Sequence, residues 1–380
     1  MNEKTVHMGR MLKSSILPLL VLRECEIGLN GGLAYMDRRL YIRADANHVL
    51  GIGHVMRCKT IAEEWIERGG ECVFLAADEE SVSIIKDMGF SVLCLNGRWD
   101  NLEMEITALL EIIQEQKISC ILIDSYYITH AYMKKLTDYV KVIYLGLMNE
   151  EAYPVHMLIN YNITVDKEAY EKKYSPEVKK LLGCRYFPLR QEFVGVNIEI
   201  KDEVRDIFLS TGGSDPYHVA LIIAKELLAR TDKKLHVILG AFNKDKEELK
   251  MLHKENPRLF LYENVQNMAE VISLCDIAVS AGGVTLYELS ACGIPTVTYA
   301  FADNQLEAVH TFEQKGIMKS VGDIRRQQTE EWTEAVYRQV EQLCRNKEQR
   351  QDMSFKMKQL VDGKGKAKIV DKICEYMQYI

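Results

Sequence analysis

From Leu40 onward, short β-branched and aliphatic runs alternate with longer stretches whose apolar residues recur at helical spacing, and the alternation starts twice. The first series predicts strands at Leu40–Asp45, Glu71–Ala76, Ser91–Leu95, Ser119–Asp124, Val140–Leu145 and His156–Asn160. Helix-length segments such as His54–Arg68 and Asn101–Gln116 lie between them. A less regular stretch, Asp166–Phe193, follows. The second series predicts strands at Arg205–Ser210, Lys234–Leu239, Arg258–Tyr262, Asp276–Ser280 and Pro295–Tyr299. Its helices are Pro216–Ala229, Asn267–Cys275 and Gly283–Cys292, and three more helical segments run from Glu330 to about Tyr379. Strand–helix–strand order feeds parallel sheets wrapped by helices on both faces. The expected class is therefore α/β, with two Rossmann-like domains facing across a cleft and ligand held at their carboxyl edges.

Domain boundaries follow from the same rhythm. At 380 residues the chain exceeds one ordinary core and fits two. Residues 36–193 form the expected first domain and residues 205–380 the second, the last helix crossing back. The polar, aperiodic segment Val194–Val204 is the expected linker. Residues 1–35 hold no sustained periodicity and contain Gly28-Leu29-Asn30-Gly31-Gly32. The favoured reading is a dispensable or mis-assigned extension with Met36 as the working start, and the plain alternative is an ordered arm packing through Ile16–Leu22. Within them Ile16–Leu22 follows Lys4, Arg10 and Lys13, but it is far too short for a bilayer and contains Pro18. No small-x-small cleavage site follows it, so neither a membrane span nor a signal peptide is expected.

Composition removes several partner classes. The net charge is −7 and no Lys/Arg run could track a phosphate backbone, which argues against nucleic acid. Ten cysteines occur without a Cys-x-x-Cys pair, so a zinc site or disulfide framework is not expected. Cys58, Cys120, Cys275 and Cys292 sit in apolar runs, as buried free thiols do, and this usage points to a reducing cytoplasm. No cluster of metal ligands is visible, and neither a metal nor another cofactor is expected.

Three loops at strand ends carry chemistry. The first reads Arg43-Ala44-Asp45-Ala46-Asn47-His48-Val49-Leu50-Gly51-Ile52-Gly53-His54-Val55-Met56-Arg57, where glycines would let backbone N–H groups and a helix start approach an anion. A tight turn with an incidental histidine is the plain alternative. In the second, Ser210-Thr211-Gly212-Gly213-Ser214-Asp215-Pro216, Gly212, Gly213 and Ser214 could donate to a diphosphate, with Pro216 suited to the first helical turn. The third is Ser280-Ala281-Gly282-Gly283-Val284-Thr285-Leu286-Tyr287-Glu288, followed by Asp303-Asn304-Gln305. Its Glu288 could accept from both ribose hydroxyls, or could merely be an acid favoured by the helix dipole. Tyr126 and Tyr127 follow Asp124 at another strand end, where Asp124 either orients a neighbour or caps the next helix.

Residues 40–315 resemble the bacterial UDP-2,4-diacetamido-2,4,6-trideoxy-β-L-altropyranose hydrolase family of pseudaminic acid biosynthesis. IRADANHVLGIGHVMRC, IDSYYI, YFPLRQEF, STGGSDP and SAGGVTLYELSACGIPTVTYAFADNQ carry the likeness. The second half is also similar to the lipid II-forming N-acetylglucosaminyltransferase, of glycosyltransferase-B architecture. The resemblance implies that His54 is the catalytic base and that UDP sits mainly on the second domain. It places Tyr126 in the sugar pocket and Arg190 and Glu288 on the nucleotide moiety. Asp45, Asn47, Gly53, Arg57, Gly212, Gly213, Ser214, Gly282, Gly283 and Thr285 are the other residues expected to bind the substrate. Asn304 and Gln305 would lie near the sugar. One departure stands out: where the family commonly has an acidic pair after the fifth strand, this chain reads Leu145-Gly146-Leu147-Met148, so what that pair does is either absent or supplied elsewhere, Glu150 and Glu151 being the nearest acids.

The implied reaction is displacement of UDP by water at an anomeric carbon. Glycine-loop donors would stabilise the departing phosphate. A neutral His54 would take the water's proton on the opposite face, giving inversion. His48 competes for that role, and His218 stands beside the second glycine loop. His7, His130, His156, His236, His253 and His310 lie in no motif. Transfer to a hydroxyl acceptor and non-catalytic nucleotide-sugar sensing are the rival readings.

Overall fold

The structure, a computed structural model, describes residues 39–147, 151–213, 215–240 and 242–377. The expectations for residues 1–35, for Met36, Met148, Glu150 and Ser214, and for the last helix beyond Met377 fall outside the described residues. All described residues belong to the single contact unit Asp37–Ile380.

The first half builds one parallel sheet from β1 (Arg39–Ala44), β2 (Glu71–Ala76), β3 (Ser91–Cys94), β4 (Cys120–Asp124), β5 (Lys141–Leu145), β6 (Met157–Asn160) and β7 (Lys179–Leu182). Their spatial order is β3-β2-β1-β4-β5-β6-β7. The aliphatic strands are interior because helices cover both faces, and β4 is buried along its whole length. The helices are α1 (Gly53–Glu67), α2 (Glu79–Asp87), α3 (Ile106–Glu115), α4 (His130–Thr137) and α5 (Lys167–Lys173). Asp78 caps α2 by accepting from Ser81 N, and Thr129 caps α4 by accepting from Tyr132 N. The order reverses between β1 and β4, whose register pairs Ala44 with Asp124. The motif loop after β1 therefore opens beside Asp124 at a topological switch point.

The second half repeats the plan with β8 (Asp206–Ser210), β9 (Lys234–Leu239), β10 (Leu259–Glu263), β11 (Ile277–Ala281), β12 (Thr296–Ala300) and β13 (Lys319–Asp323). The order is β10-β9-β8-β11-β12-β13, all parallel. Its switch lies between β8 and β11, where Ser210 pairs with Ser280, so both remaining glycine loops leave the sheet side by side. The helices are α6 (Val219–Arg230), α7 (Lys246–Glu255), α8 (Met268–Ser273), α9 (Thr285–Cys292), α10 (Asp303–Gln314), α11 (Thr329–Arg345), α12 (Lys347–Leu360) and α13 (Gly365–Met377). The last of these packs on α1 of the first half. Arg68 donates to Asp371 at 2.5 Å and to Ala367 O at 3.2 Å. A Cβ on Gly365 would meet Phe187 O at 1.9 Å, so that close approach requires glycine. Among the described residues no helix is long and apolar enough to cross a membrane.

Three expectations are corrected. The stretch Asp166–Phe193 is not irregular: it holds α5 and the edge strand β7, whose sequence Lys-Lys-Leu-Leu shows charge rather than a strand's buried run. The second sheet has a sixth strand, β13, hidden by Lys319 and Gly322 at a sheet edge. The helix expected from Pro216 begins at Val219. His218 adopts φ +58° ahead of it, and Asp215 caps it by accepting from Val219 N and Ala220 N at 2.9 and 2.8 Å.

Candidate active site

The β1–α1 loop is held from within. Arg43 is wholly buried, donating from Nη1 to Asp45 at 2.6 Å and from Nε and Nη2 to Glu105 at 2.6 and 2.7 Å. Tyr132 adds a hydroxyl bond to Glu105 at 2.9 Å. The other Asp45 oxygen accepts from Ala77 N at 2.8 Å. Both oxygens of Asp45 are thus spent on shaping the loop. Asn47 Oδ1 accepts from Val49 N and Leu50 N, making an Asx turn, while Gly51 at φ +70° closes the turn on Asn47 O. Asn47 Nδ2 is buried with no partner. His48 lies at the surface with its ring on Glu80. Gly53 begins α1, with open space where a Cβ would stand.

One face of the first turns of α1 converges on a single carboxylate. His54, Arg57 and Cys58 stand at i, i+3 and i+4, the spacing that stacks side chains on one helix side. His54 Nδ1 is 2.6 Å from Asp124 Oδ1. Arg57 forks onto Asp124, with Nε to Oδ2 and Nη2 to Oδ1, both at 2.5 Å. The Cys58 thiol donates to Oδ2 at 3.5 Å. Burial alone would raise the Asp124 carboxyl, yet the Arg57 guanidinium and then the His54 imidazole hold it down to about 2. Asp124 is therefore an anion, and the Nδ1 proton points to it. Arg57 Nη2, 2.9 Å from Nδ1, has no lone pair and cannot take that proton. This partner assigns the tautomer and leaves the lone pair on Nε2. His54 Nε2 is itself buried with no partner. Thr129, not Asp124, caps the helix that follows.

Two aromatic rings frame this group. Tyr126, 67% exposed, sets its ring edge-on to His54 with centroids 4.3 Å apart. Tyr161, buried at the end of β6, accepts from Arg57 Nη1 at 3.3 Å. Neither Tyr161 nor Glu105 stands out in the sequence, and Cys58 reads there only as a buried thiol. The i, i+3, i+4 spacing of His54, Arg57 and Cys58 was the available sign of a shared partner.

In the second half, Gly212 (φ +82°) and Gly213 are exposed, with open space over both. Gly240, at the end of β9, supports them closely: its Cβ would lie 2.3 Å from Gly212 O and 2.5 Å from Gly213 O. In the third loop Gly282 is packed against Val309, whereas Gly283 is open. Thr285 opens α9, and one turn on Glu288 is buried against Arg190, 2.8 Å from Nη2. Burial pushes the Glu288 carboxyl up, and Arg190 draws it only partly back. Arg190 also pairs with Glu192 at 3.0 Å. Asn304 is exposed in the first turn of α10, while Gln305 Oε1 accepts from Phe301 N at 2.9 Å. After β5, Gly146 and Leu147 bring no acid, and Glu151 is exposed.

Residues 208–373 match the glycosyltransferase family 28 C-terminal domain. MurG of Acinetobacter baumannii superposes with a TM-score of 0.63 at 14% identity, covering 89% of this chain and 99% of that one. The chain has the glycosyltransferase-B fold. Within it, the likeness to the UDP-2,4-diacetamido-2,4,6-trideoxy-β-L-altropyranose hydrolase family stands. The protein of that name from Campylobacter jejuni is 27% identical over 240 residues, covering 60% of this chain and 81% of the relative. An uncharacterized protein of Methanocaldococcus jannaschii is 27% identical over 292 residues, covering 73% of this chain. This chain spans 58% of that archaeal protein's length.

Proposed function

We propose that the protein hydrolyses a UDP-linked amino sugar at its anomeric carbon with inversion, releasing UDP and free sugar. The sugar named by the Campylobacter relative, 2,4-diacetamido-2,4,6-trideoxy-β-L-altropyranose, is the proposed substrate. The observation that carries the reading is His54, its Nδ1 proton fixed on an ionised Asp124 and its Nε2 buried without a partner. An unsatisfied buried polar atom costs about 1–3 kcal/mol, so Nε2 is ready to accept a hydrogen from water. As that proton arrives, the imidazolium is stabilised by Asp124, the arrangement that activates nucleophiles elsewhere.

The C–O bond to UDP breaks as the water oxygen bonds to carbon. Charge develops on the leaving diphosphate, for which the open backbone of Gly212, Gly213 and Gly283 offers N–H donors. Glu288 and Arg190 are proposed for the nucleoside, and Tyr126, Asn47, Asn304 and Gln305 for the sugar side. Incubating the purified protein with the UDP-sugar in 18O-water, with no acceptor, tests this. The expected products are UDP and a sugar labelled at the anomeric carbon. Label on the β-phosphate rejects bond cleavage at carbon, and turnover only with an added hydroxyl acceptor makes the protein a transferase.

A further inference from the structure

Four aromatic rings join the base-bearing half to the helix that carries Glu288. Tyr161 sets its ring edge-on to Phe187, centroids 5.1 Å apart, and to Tyr287 at 6.0 Å. Phe187 and Tyr287 stack at 4.8 Å and 11°. Tyr287 in turn meets Phe312 of α10 edge-on at 5.6 Å. The backbone joins the same contact: Ile163 N, two residues past Tyr161, donates to the Tyr287 hydroxyl at 3.2 Å. Tyr161 and Tyr287 are both buried, so neither ring can shift without moving its neighbours.

At one end of this chain of contacts Tyr161 accepts from Arg57 Nη1, and Arg57 grips the carboxylate that orients His54. At the other end Tyr287 immediately precedes Glu288 on the first turns of α9. Glu288 is occupied by Arg190 in the free protein, so a nucleoside hydroxyl that engages it must rearrange or join that pair. Any resulting shift of α9 acts on Tyr287, then Tyr161, then Arg57.

We propose that Tyr161 is a positioning residue that couples nucleotide placement on α9 to the orientation of His54, acting through Arg57 and Asp124. The inference rests on the proposed reaction, because it assumes that a nucleotide binds at Glu288. Tyr161 touches no reacting atom. Its hydroxyl restrains Nη1, the one guanidinium nitrogen not fixed on Asp124, since Nε and Nη2 are both engaged there. Its ring transmits the position of the second half.

The test uses full-length protein carrying Tyr161→Phe or Tyr287→Phe, each of which keeps the ring and removes one hydroxyl. Calorimetry with UDP, kcat and KM for the UDP-sugar, and the His54 imidazole NMR signals with and without UDP are compared with wild type. UDP is expected to move the His54 signals in wild type. In Tyr161→Phe the UDP Kd and KM stay within twofold, kcat falls about three- to tenfold, as for one lost hydrogen bond, and the UDP-induced change at His54 is lost. Tyr161→Phe added to Arg57→Lys produces no further loss, since the bond it deletes is already gone. UDP heat without any change at His54 in wild type overturns the inference and leaves the reaction standing. So does a Tyr161→Phe protein with wild-type kcat, or one whose kcat loss is additive with Arg57→Lys. Absence of both UDP heat and turnover in wild type overturns the proposed reaction and this inference together.

Discussion

The carboxylate of Asp124 accepts the Nδ1 proton of His54 across 2.6 Å, joining residues 70 positions apart. If this pair sets the base, His54→Ala lowers kcat roughly 10²–10⁴-fold, the range for loss of a general base. Asp124→Asn gives a loss of similar order, because an amide permits the wrong tautomer. UDP affinity, measured by calorimetry, stays near wild type in both. Near-full activity in His54→Ala with loss in His48→Ala would transfer the role to the exposed histidine.

Acid sensitivity follows from the same carboxylate. Asp124 is held at about 2 against an ordinary 3.8, so its contribution to stability is complete above the unfolded value and is lost as pH falls toward 2. The sign is that of a depressed carboxyl: the unfolded chain takes up the proton first. At about 1.4 kcal/mol per pH unit, the full contribution of the lowering from 3.8 to about 2 is about 2.5 kcal/mol. Urea midpoints from pH 5 to pH 3 should fall more steeply for wild type than for Asp124→Asn. Parallel curves would refute the linkage.

Arg43→Met strands two carboxylates, Asp45 and Glu105, in the interior without their cation. Removing one partner of a buried pair costs about 3–5 kcal/mol. A clear drop in Tm is expected, with activity lost through the β1–α1 loop. An unchanged Tm would mean that the network does not hold that loop.

Gly240→Ala tests the second glycine loop without touching an exposed residue of it. The added methyl would collide with the carbonyls of Gly212 and Gly213, so the loop must move. A rise in KM and in UDP Kd of about tenfold, equivalent to about 1.4 kcal/mol, is expected with a small change in kcat. Unaltered UDP binding would place the diphosphate elsewhere.

The alternation of strands and helices was readable because interior parallel strands such as Cys120–Asp124 are continuous apolar runs. The edge strands Lys179–Leu182 and Lys319–Asp323 were not, since a sheet edge tolerates the charge and glycine that mark a loop. The glycine loops announced themselves by composition. The partnership of His54, Arg57 and Cys58 with Asp124 did not, because it is made by the pairing of β1 with β4 rather than by proximity in the chain. Tyr161 carried no local signal at all: its meaning comes from Arg57 on one side and Tyr287 on the other.

The packing of α13 on α1 also sets an order of events during synthesis. Arg68 and Lys366 with Glu64 join segments about 300 residues apart, and the helix bearing His54 is covered only when Gly365–Met377 has emerged from the ribosome. The second half can complete its own sheet beforehand, whereas the first must wait with one face of α1 bare. The half that bears His54, although made first, is the one that finishes folding last, and its exposed helix is where a chaperone would find the nascent chain.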